Sequence, residues 1–245
     1  MGLRSEVSSR GIAIDERAVD RLIAYRDFLL DWNQRVNLTA LKDPALVEQV
    51  LILDALQMLP DLDRIVEETG LRRPSLIDIG SGGGTPAIPL AICRPALDIT
   101  MVEATGKKVK FLDAVIAGLS LGNARAVAAR AEEFARDPGE RERYDIATAR
   151  AVSSLPALVE LTMPLLRVGG TGIFPKGLEI GAELAAGKIA GEQVGAEILI
   201  SDRLPGSETR LVVIRKTVPT PNQFPRRSGL PARQPLGLKM LDQRT

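Results

Sequence analysis

The sequence predicts an α/β fold in which helices cover both faces of a mostly parallel β-sheet. Three observations support this prediction. From residue 74 onward, short apolar segments alternate with helical segments, which is the pattern typical of parallel sheets. The first apolar segment runs directly into a glycine-rich loop, and folds of this class bind ligands at the carboxyl ends of their strands. The length of 245 residues is enough for one large domain with a small extension.

Residues 1–73 are predicted to form a helical cap in front of this core. A first amphipathic helix is expected from residue 15 to about residue 33, because the apolar side chains recur mostly on one helical face. A second helix begins in "KDPALVEQVLILDALQML", where Asp43 suits the N-cap and Pro44 suits the first helical position.

Residues 74–218 are predicted to form the core. Seven strands are expected, at residues 76–79, 99–102, 124–128, 144–148, 172–174, 197–200 and 211–215. Helices are expected between most of them, notably at residues 85–94, 107–119 and 155–166. The last strand follows the short turn "SDRLPGSETR", which predicts a hairpin and an antiparallel strand at the end of the sheet.

Residues 219–245 are predicted to form an extended, basic tail, because prolines are frequent and periodic apolar residues are few. Between Arg210 and Met240 the chain has seven Lys or Arg residues and no Asp or Glu, although its net charge is only +1. A basic end favours contact with an anion such as RNA phosphate. A solvated tail explains the charge equally well.

The composition excludes several kinds of chemistry. The chain has no histidine, which rules out a Ser-His-Asp triad, a histidine general base and a histidine metal ligand. Cys93 is the single cysteine, so we expect neither an intrachain disulfide nor a metal site. No signal-peptide core and no run of ~18 apolar residues is present, and we therefore expect a cytoplasmic protein without membrane contact.

The most specific local signal is the glycine-rich stretch "LIDIGSGGGTPAIPLAI" at residues 76–92. Asp78, Gly80, Gly82 and Gly84 satisfy the pattern D-x-G-x-G-x-G, and the last two glycines with Ala87 satisfy the dinucleotide pattern G-x-G-x-x-G/A. Glycines allow positive φ and close approach of a ligand to the backbone. Each pattern alone also fits a tight turn that binds nothing.

Acidic residues after the next two strands favour an adenosine-type ligand. Glu103 ends the second strand, 23 residues after Gly80, where a carboxylate can accept hydrogen bonds from both ribose hydroxyls. Ala131 and Glu132 follow the third strand and could contact an adenine ring and its amino group. Asp78 could bind the ammonium group of a ligand that has an amino-acid end.

These segments, in this order, resemble a known family. The likeness is carried by the glycine loop, "EATGKKVKFL", "ARAEEF", "ARAVSSL" and "PKG", with "WNQRVNLTAL" before them and "FPRRSGLPARQPLG" after them. They are similar to the bacterial small-subunit ribosomal RNA guanine-N7 methyltransferases, also called glucose-inhibited division protein B, over residues 28–236. The resemblance implies a class I, S-adenosylmethionine-dependent methyltransferase with a Rossmann-like seven-stranded sheet. It also implies methyl transfer from S-adenosyl-L-methionine to guanine N7 in 16S rRNA.

The glycine pattern, the basic residues and the resemblance together give candidate residues. Those for the cofactor are Asp78, Gly80, Gly82, Gly84, Thr85, Glu103, Ala104, Thr105, Ala131, Glu132 and Arg150. The catalytic candidates are Arg150 and Lys176, and the RNA-binding candidates are Asn33, Arg35, Asn37, Arg226, Arg227 and Arg233. Capping of the loop between the helices explains Asn33 and Asn37 equally well. The expected partner is 16S rRNA or the small ribosomal subunit, bound by a monomer. The chain departs from the family pattern at Leu51, Thr85 and Ala87.

Guanine N7 has a free lone pair, so its methylation needs alignment rather than a base, which suits a chain without histidine. Three alternatives remain. A small-molecule methyltransferase of the same fold would not need the basic tail. A nucleotide-dependent oxidoreductase would use the dinucleotide pattern but lacks an obvious proton donor. A non-enzymatic RNA-binding module would leave the cofactor pattern unexplained.

Overall fold

The computed structural model describes residues 2–204 and 207–238. It begins with the helices α1 (Leu3–Ser9), α2 (Glu16–Asn33) and α3 (Pro44–Val47). The last of these continues through a π-helical turn (Glu48–Leu53) into α4 (Asp54–Leu56), and α5 (Leu59–Thr69) follows.

The predicted N-cap at Asp43 is confirmed, and Asp15 caps the first predicted helix in the same way. The Asp15 carboxylate accepts a hydrogen bond from the amide of Ala18, and that of Asp43 accepts from the amides of Ala45 and Leu46. These contacts satisfy amides that have no partner inside the helix. The helix α1 was not predicted, because its polar sequence shows little amphipathic pattern over seven residues.

The seven predicted strands are confirmed. They are β1 (Ser75–Ile79), β2 (Asp98–Glu103), β3 (Ala124–Ala128), β4 (Tyr144–Thr148), β5 (Leu166–Gly177), β6 (Ala196–Arg203) and β7 (Thr209–Lys216). Their order in the sheet is β3-β2-β1-β4-β5-β7-β6. The first five strands pair with one another in parallel, and β7 is antiparallel to both β5 and β6.

The position of the antiparallel strand corrects one expectation. The hairpin of β6 and β7 forms as predicted, but β7 inserts between β5 and β6, so that β6 is the edge strand. Four consecutive residues of β7, Leu211–Ile214, are buried, as an inner strand requires.

Helices cover both faces of the sheet. Neighbouring residues of a strand point to opposite sides, and apolar residues on each side pack against helices. These helices are α6 (Ala87–Cys93), α7 (Gly106–Gly118), α8 (Ala131–Phe134), α9 (Leu155–Thr162), α10 (Gly181–Val194) and α11 (Leu230–Arg233). Leu76 packs in one apolar cluster with α2, α6 and α7, whereas Ile77 packs in the other with α9 and α10. The cap helices therefore share a core with the glycine-loop side of the sheet.

The segment after β7 is packed onto the core, which corrects the prediction of an extended tail. Phe224 and Pro231 are buried, and the Arg141 guanidinium donates to the carbonyls of Thr220 (2.7 Å) and Phe224 (2.8 Å). The segment also contains α11. Residues 239–245 of the predicted tail lie outside the described residues. In the described ranges, no helix is long and apolar enough to cross a membrane.

Candidate functional site

The glycine loop between β1 and α6 exposes its backbone because it excludes side chains. Gly80, Gly82 and Gly84 have φ values of 69°, 53° and 86°, in the left-handed region that favours glycine. A Cβ atom on Gly80 would lie 2.6 Å from the side chain of Val152, and one on Gly84 would lie 2.6 Å from Ile88. The sequence pattern therefore marks a real backbone constraint.

Asp78, at the end of β1, is a buried carboxylate without a partner. Its exposed fraction is 1%, and neither carboxylate oxygen has a hydrogen-bond partner in the described part of the chain. The Ser81 hydroxyl donates to the backbone carbonyl of Asp78 (3.1 Å), not to its side chain. Burial, with a smaller contribution from the nearby charge of Glu103, raises the pKa of Asp78 to about 8. A ligand that brings an ammonium group would satisfy this carboxylate.

Glu103 fixes the glycine loop against the end of β2. One carboxylate oxygen accepts from the Gly82 amide (3.0 Å), and the other accepts from the Thr105 amide (2.8 Å). Each oxygen keeps a second lone pair, with which it could accept a ribose hydroxyl. Ala104 and Thr105 are exposed beside it, so the site is open at this end.

Glu132, at the start of α8, contacts the C-terminal segment. Its carboxylate accepts a hydrogen bond from the Gly229 amide (2.7 Å), and the residue is only 8% exposed. Ala131 precedes it in the same helix. The predicted adenine end of the site therefore lies next to the segment that precedes α11.

Arg150 follows β4 and joins the core to the cap. Its guanidinium donates to the carbonyls of Val50 (2.5 Å) and Leu51 (3.4 Å), and it lies 3.5 Å from the Asp54 carboxylate. Burial lowers the pKa of Arg150, and the charge of Asp54 opposes that effect. The three partners belong to the π-helical turn and α4, a type of irregularity that is frequent at functional sites.

Lys176, the other catalytic candidate, is already paired. Its ammonium group lies 2.8 Å from the Glu183 carboxylate and donates to the carbonyl of Ser153 (3.1 Å). The same carboxylate accepts from the Leu155 amide (2.9 Å), and these two hydrogen bonds lower the pKa of Glu183 against the opposing effect of its burial. Lys176 thus anchors the loop between β4 and α9.

A cavity of about 320 Å³ opens over the glycine loop. This volume lies within the range of small-molecule sites. The loop and the cap both line it, with Arg150 and Lys108 at its edge; the lining residues are Leu29, Leu38, Thr39, Ala40, Leu51, Gly80, Ser81, Gly82, Gly83, Thr85, Lys108, Arg150 and Ala151. Asp78 is not among the lining residues. It lies behind the loop, at the end of β1.

Tyr25 is a site residue that the sequence did not reveal. It lies on α2 and is fully buried. Its hydroxyl donates to the Gly83 carbonyl (2.5 Å) and lies 2.9 Å from the Thr85 hydroxyl. Burial raises the pKa of Tyr25. Position on the apolar face of α2 predicts a core residue only, because the partners of the hydroxyl are 58 and 60 residues away in the chain.

Two of the RNA candidates form contacts inside the protein, and Asn33 has the alternative role of capping the loop between the helices. The Asn33 side chain accepts from the amides of Leu38 and Thr39 and donates to the Thr39 carbonyl, so it shapes the loop that lines the cavity. The Arg226 guanidinium pairs with Glu160, which is fully buried.

The other four RNA candidates are exposed. Arg35 lies 2.6 Å from Asp31 and 5.6 Å from the ring centre of Trp32. Asn37 and Arg227 are exposed, as is Arg233, whose guanidinium donates to the Gly229 carbonyl (3.2 Å). As for metals, residues 2–204 and 207–238 contain no group of three or more Cys, Asp or Glu residues placed to hold an ion.

Comparison with known proteins identifies the family. A family model described as rRNA small subunit methyltransferase G matches residues 18–201. The chain is 43% identical over 229 residues to the ribosomal RNA small subunit methyltransferase G of Chloroflexus aggregans, covering 92% of this chain and 93% of that protein. It is 41% identical over 232 residues to the protein of the same name from Roseiflexus castenholzii, covering 94% and 96%.

A solved structure supports the fold alone. The 4+2 cyclase SpnF superposes with a TM-score of 0.50 at 17% identity, covering 67% of this chain and 82% of that chain. The matches in sequence extend over the glycine loop, Glu103, Glu132 and Arg150, so the residues that build the site lie inside the shared region. The chain belongs to the family of rRNA small subunit methyltransferase G.

Proposed function

We propose that the protein transfers a methyl group from S-adenosyl-L-methionine to N7 of a guanine in 16S rRNA. The observation that carries this proposal is the buried carboxylate of Asp78, which has no hydrogen-bond partner among the described residues and lies behind a glycine loop of left-handed conformation, in a member of this family. S-adenosylmethionine supplies a methyl group activated on a sulfonium, and it also has an ammonium group and a ribose. The acceptor groups of the site match the ammonium group and the ribose hydroxyls of this ligand.

Different site residues along the carboxyl ends of the strands are assigned to different parts of S-adenosylmethionine. Asp78 is assigned to the ammonium group, and the backbone of Gly80, Gly82 and Gly84, with Thr85, to the adjoining part of the ligand. Glu103 with Ala104 and Thr105 is assigned to the ribose hydroxyls. Ala131 and Glu132 are assigned to the adenine, and Arg150 to the end of the cavity nearest the acceptor.

The role of the protein in this reaction is to align the methyl group of the donor with guanine N7. N7 loses no proton when it is methylated, so no side chain has to act as a base. A preorganised geometry can lower the barrier of such a reaction by about 7–11 kcal/mol. The carbonyls of Val50 and Leu51 accept hydrogen bonds from the Arg150 guanidinium, which holds this cation in one position. Lys176 is a positioning residue, because it holds the loop that follows Arg150.

The RNA surface is assigned to exposed cations around the same edge. Arg35, Arg227 and Arg233 are exposed, and Lys107 and Arg130 follow the carboxyl ends of β2 and β3. RNA in A-form has a major groove too deep and narrow for side chains to reach N7. The target guanine should therefore be unstacked or in an irregular loop. We assign the site of action to the cytoplasm, with the protein as a monomer.

The first test is calorimetric titration of the full chain with S-adenosylmethionine and, separately, with NAD. Binding of the first ligand alone is expected. Asp78→Asn should weaken it about ten-fold, because a hydrogen bond to a charged group is lost. Asp61→Asn is the control, since Asp61 is a half-buried carboxylate on α5 that pairs with Arg64. Binding of NAD alone would contradict the proposal and favour an oxidoreductase.

The second test identifies the acceptor. Radiolabelled methyl transfer to naked 16S rRNA and to small ribosomal subunits should give labelled 7-methylguanosine after digestion of the RNA. A product in one substrate only would decide between RNA and the assembled subunit. Transfer to neither substrate, with S-adenosylmethionine bound, would favour a small-molecule methyltransferase.

A further inference from the structure

A second cavity, of about 480 Å³, adjoins the cavity over the glycine loop. The two cavities share Arg150, and the π-helical turn contributes to both, with Leu51 lining the first and Val50 lining the second. The second cavity also contains Asp54 on α4, Ser207 just before β7, and Thr209 at the start of β7. Methyl transfer requires donor and acceptor sites that touch, and this cavity is the neighbour of the first across Arg150.

The wall of this second cavity is built around the Asp54 carboxylate. One oxygen accepts from the Ser207 hydroxyl (2.9 Å), and the other accepts from the Thr209 hydroxyl (2.7 Å). The Arg150 guanidinium lies 3.5 Å away, at the limit of a hydrogen bond. The side chain is 16% exposed. Two hydroxyls thus fix the plane of the carboxylate. Oδ1 keeps a second lone pair, and the second lone pair of Oδ2 is engaged only by the long contact with Arg150.

A carboxylate held in this orientation can distinguish guanine from the other three bases. Guanine presents two neighbouring donors on its Watson–Crick edge, the N1 hydrogen and the N2 amino group, which match two carboxylate oxygens. Adenine and cytosine each place a ring acceptor beside their amino group, and uracil places a carbonyl on both sides of its N3 hydrogen, so none of them offers two adjacent donors. N7 lies on the other ring of guanine, away from that edge. A guanine held by Asp54 therefore keeps N7 free.

We propose that this second cavity is the acceptor pocket and that Asp54 selects guanine by accepting hydrogen bonds from its N1 and N2 groups. The inference rests on the proposed function and deepens it. Val50 is 39% exposed in the same wall and offers an apolar contact to the face of the base. Ser207 and Thr209 are positioning residues, since they act by orienting the carboxylate.

The test measures binding of mononucleotides to the full chain without cofactor, by ligand-observed NMR. The probes are GMP, AMP and IMP, the last of which lacks the N2 amino group of guanine. The wild-type chain should bind GMP about ten-fold more tightly than IMP or AMP. Asp54→Asn, which keeps one acceptor oxygen and replaces the other with a donating NH2, should lower the ratio of GMP to IMP affinity to about one, because the NH2 repels one of the two donors of guanine.

Three results would overturn the inference. They are an unchanged ratio in Asp54→Asn, no preference of the wild-type chain for GMP, and an equal loss of GMP and S-adenosylmethionine affinity, which would mean that Asp54 only holds Arg150. Asp61→Asn is the control for folding and for the general effect of removing a carboxylate. Failure here with intact N7 methylation of rRNA by the wild-type chain would remove the pocket assignment and leave the proposed function standing.

Discussion

At the residue scale, burial of Asp78 makes its own contribution to how pH acts on the stability of the ligand-free protein. Its pKa is about 8 in the folded chain and near 3.8 when exposed, so the folded state holds a proton that the unfolded state releases. The contribution of Asp78 to stability is therefore fully present below about pH 4 and is lost as pH rises to about 8. The slope is at most about 1.4 kcal/mol per pH unit.

We expect Asp78→Asn to remove this slope. Urea unfolding of the wild-type chain and of the variant at pH 5, 6, 7 and 8 measures the difference in the free energy of unfolding. The variant should gain relative to the wild type as pH rises, because an amide does not titrate. Asp61→Asn should follow the wild-type profile, and parallel profiles for Asp78→Asn would show that the carboxyl is not buried as described.

Tyr25 provides a second prediction at this scale. Tyr25→Phe removes the hydroxyl that donates to the Gly83 carbonyl and should lower the free energy of unfolding by about 1 kcal/mol. It should also weaken S-adenosylmethionine binding several-fold, because the glycine loop loses its hydrogen bond to α2. Tyr144→Phe is the matched control, since its hydroxyl donates to Glu140 (2.5 Å) away from the loop. Equal effects of both variants on ligand affinity would contradict a role for Tyr25 at the site.

At the element scale, one ion pair fastens the C-terminal segment to α9. Glu160 on α9 is fully buried and accepts from Arg226 through its backbone amide (2.7 Å) and its guanidinium (2.6 Å). The same guanidinium donates to the Gln234 carbonyl (2.7 Å) next to α11. Removing one partner of such a pair leaves a buried charge alone, which costs more than the pair itself contributes.

We therefore expect Arg226→Ala to lower the free energy of unfolding by about 3 kcal/mol. Its neighbour Arg227 is exposed, and Arg227→Ala should change stability by no more than about 0.5 kcal/mol. Adding Glu160→Gln to Arg226→Ala should recover part of the loss, since it removes the unpaired charge. Urea unfolding measures all three variants. A similar loss in both arginine variants would mean that the ion pair does not hold the segment.

At the scale of the whole molecule, the features that could be predicted from the sequence are those that depend on local residue patterns. Strand and helix alternation predicted the seven strands, and glycine spacing predicted the loop whose φ values require glycine. Contacts between distant segments were missed. The Tyr25 hydroxyl meets Gly83, Arg226 meets Glu160 66 residues away, and Arg150 meets Asp54 96 residues away. None of these pairs leaves a periodic signal, because packing of the cap and tail on the core brings them together.

The last prediction concerns the charge of the whole surface. Each cation that contacts a phosphate releases counterions, so the logarithm of RNA affinity should fall linearly with the logarithm of salt concentration. Arg227→Ala and Arg233→Ala should each reduce that slope by about 0.7, the value per phosphate for single strands. Both arginines are exposed, and neither forms an ion pair with Asp or Glu in residues 2–204 and 207–238.

Fluorescence anisotropy with a labelled 16S rRNA fragment at several salt concentrations measures the slope. Arg64→Ala is the control, because Arg64 is exposed but pairs with Asp61 and Glu68 on α5. The affinity for S-adenosylmethionine should stay unchanged in Arg227→Ala and Arg233→Ala, since the cavity over the glycine loop lacks both residues. An unchanged slope in both tail variants would remove the C-terminal segment from the RNA surface, and the contact would then have to come from Arg35, Lys107 and Arg130.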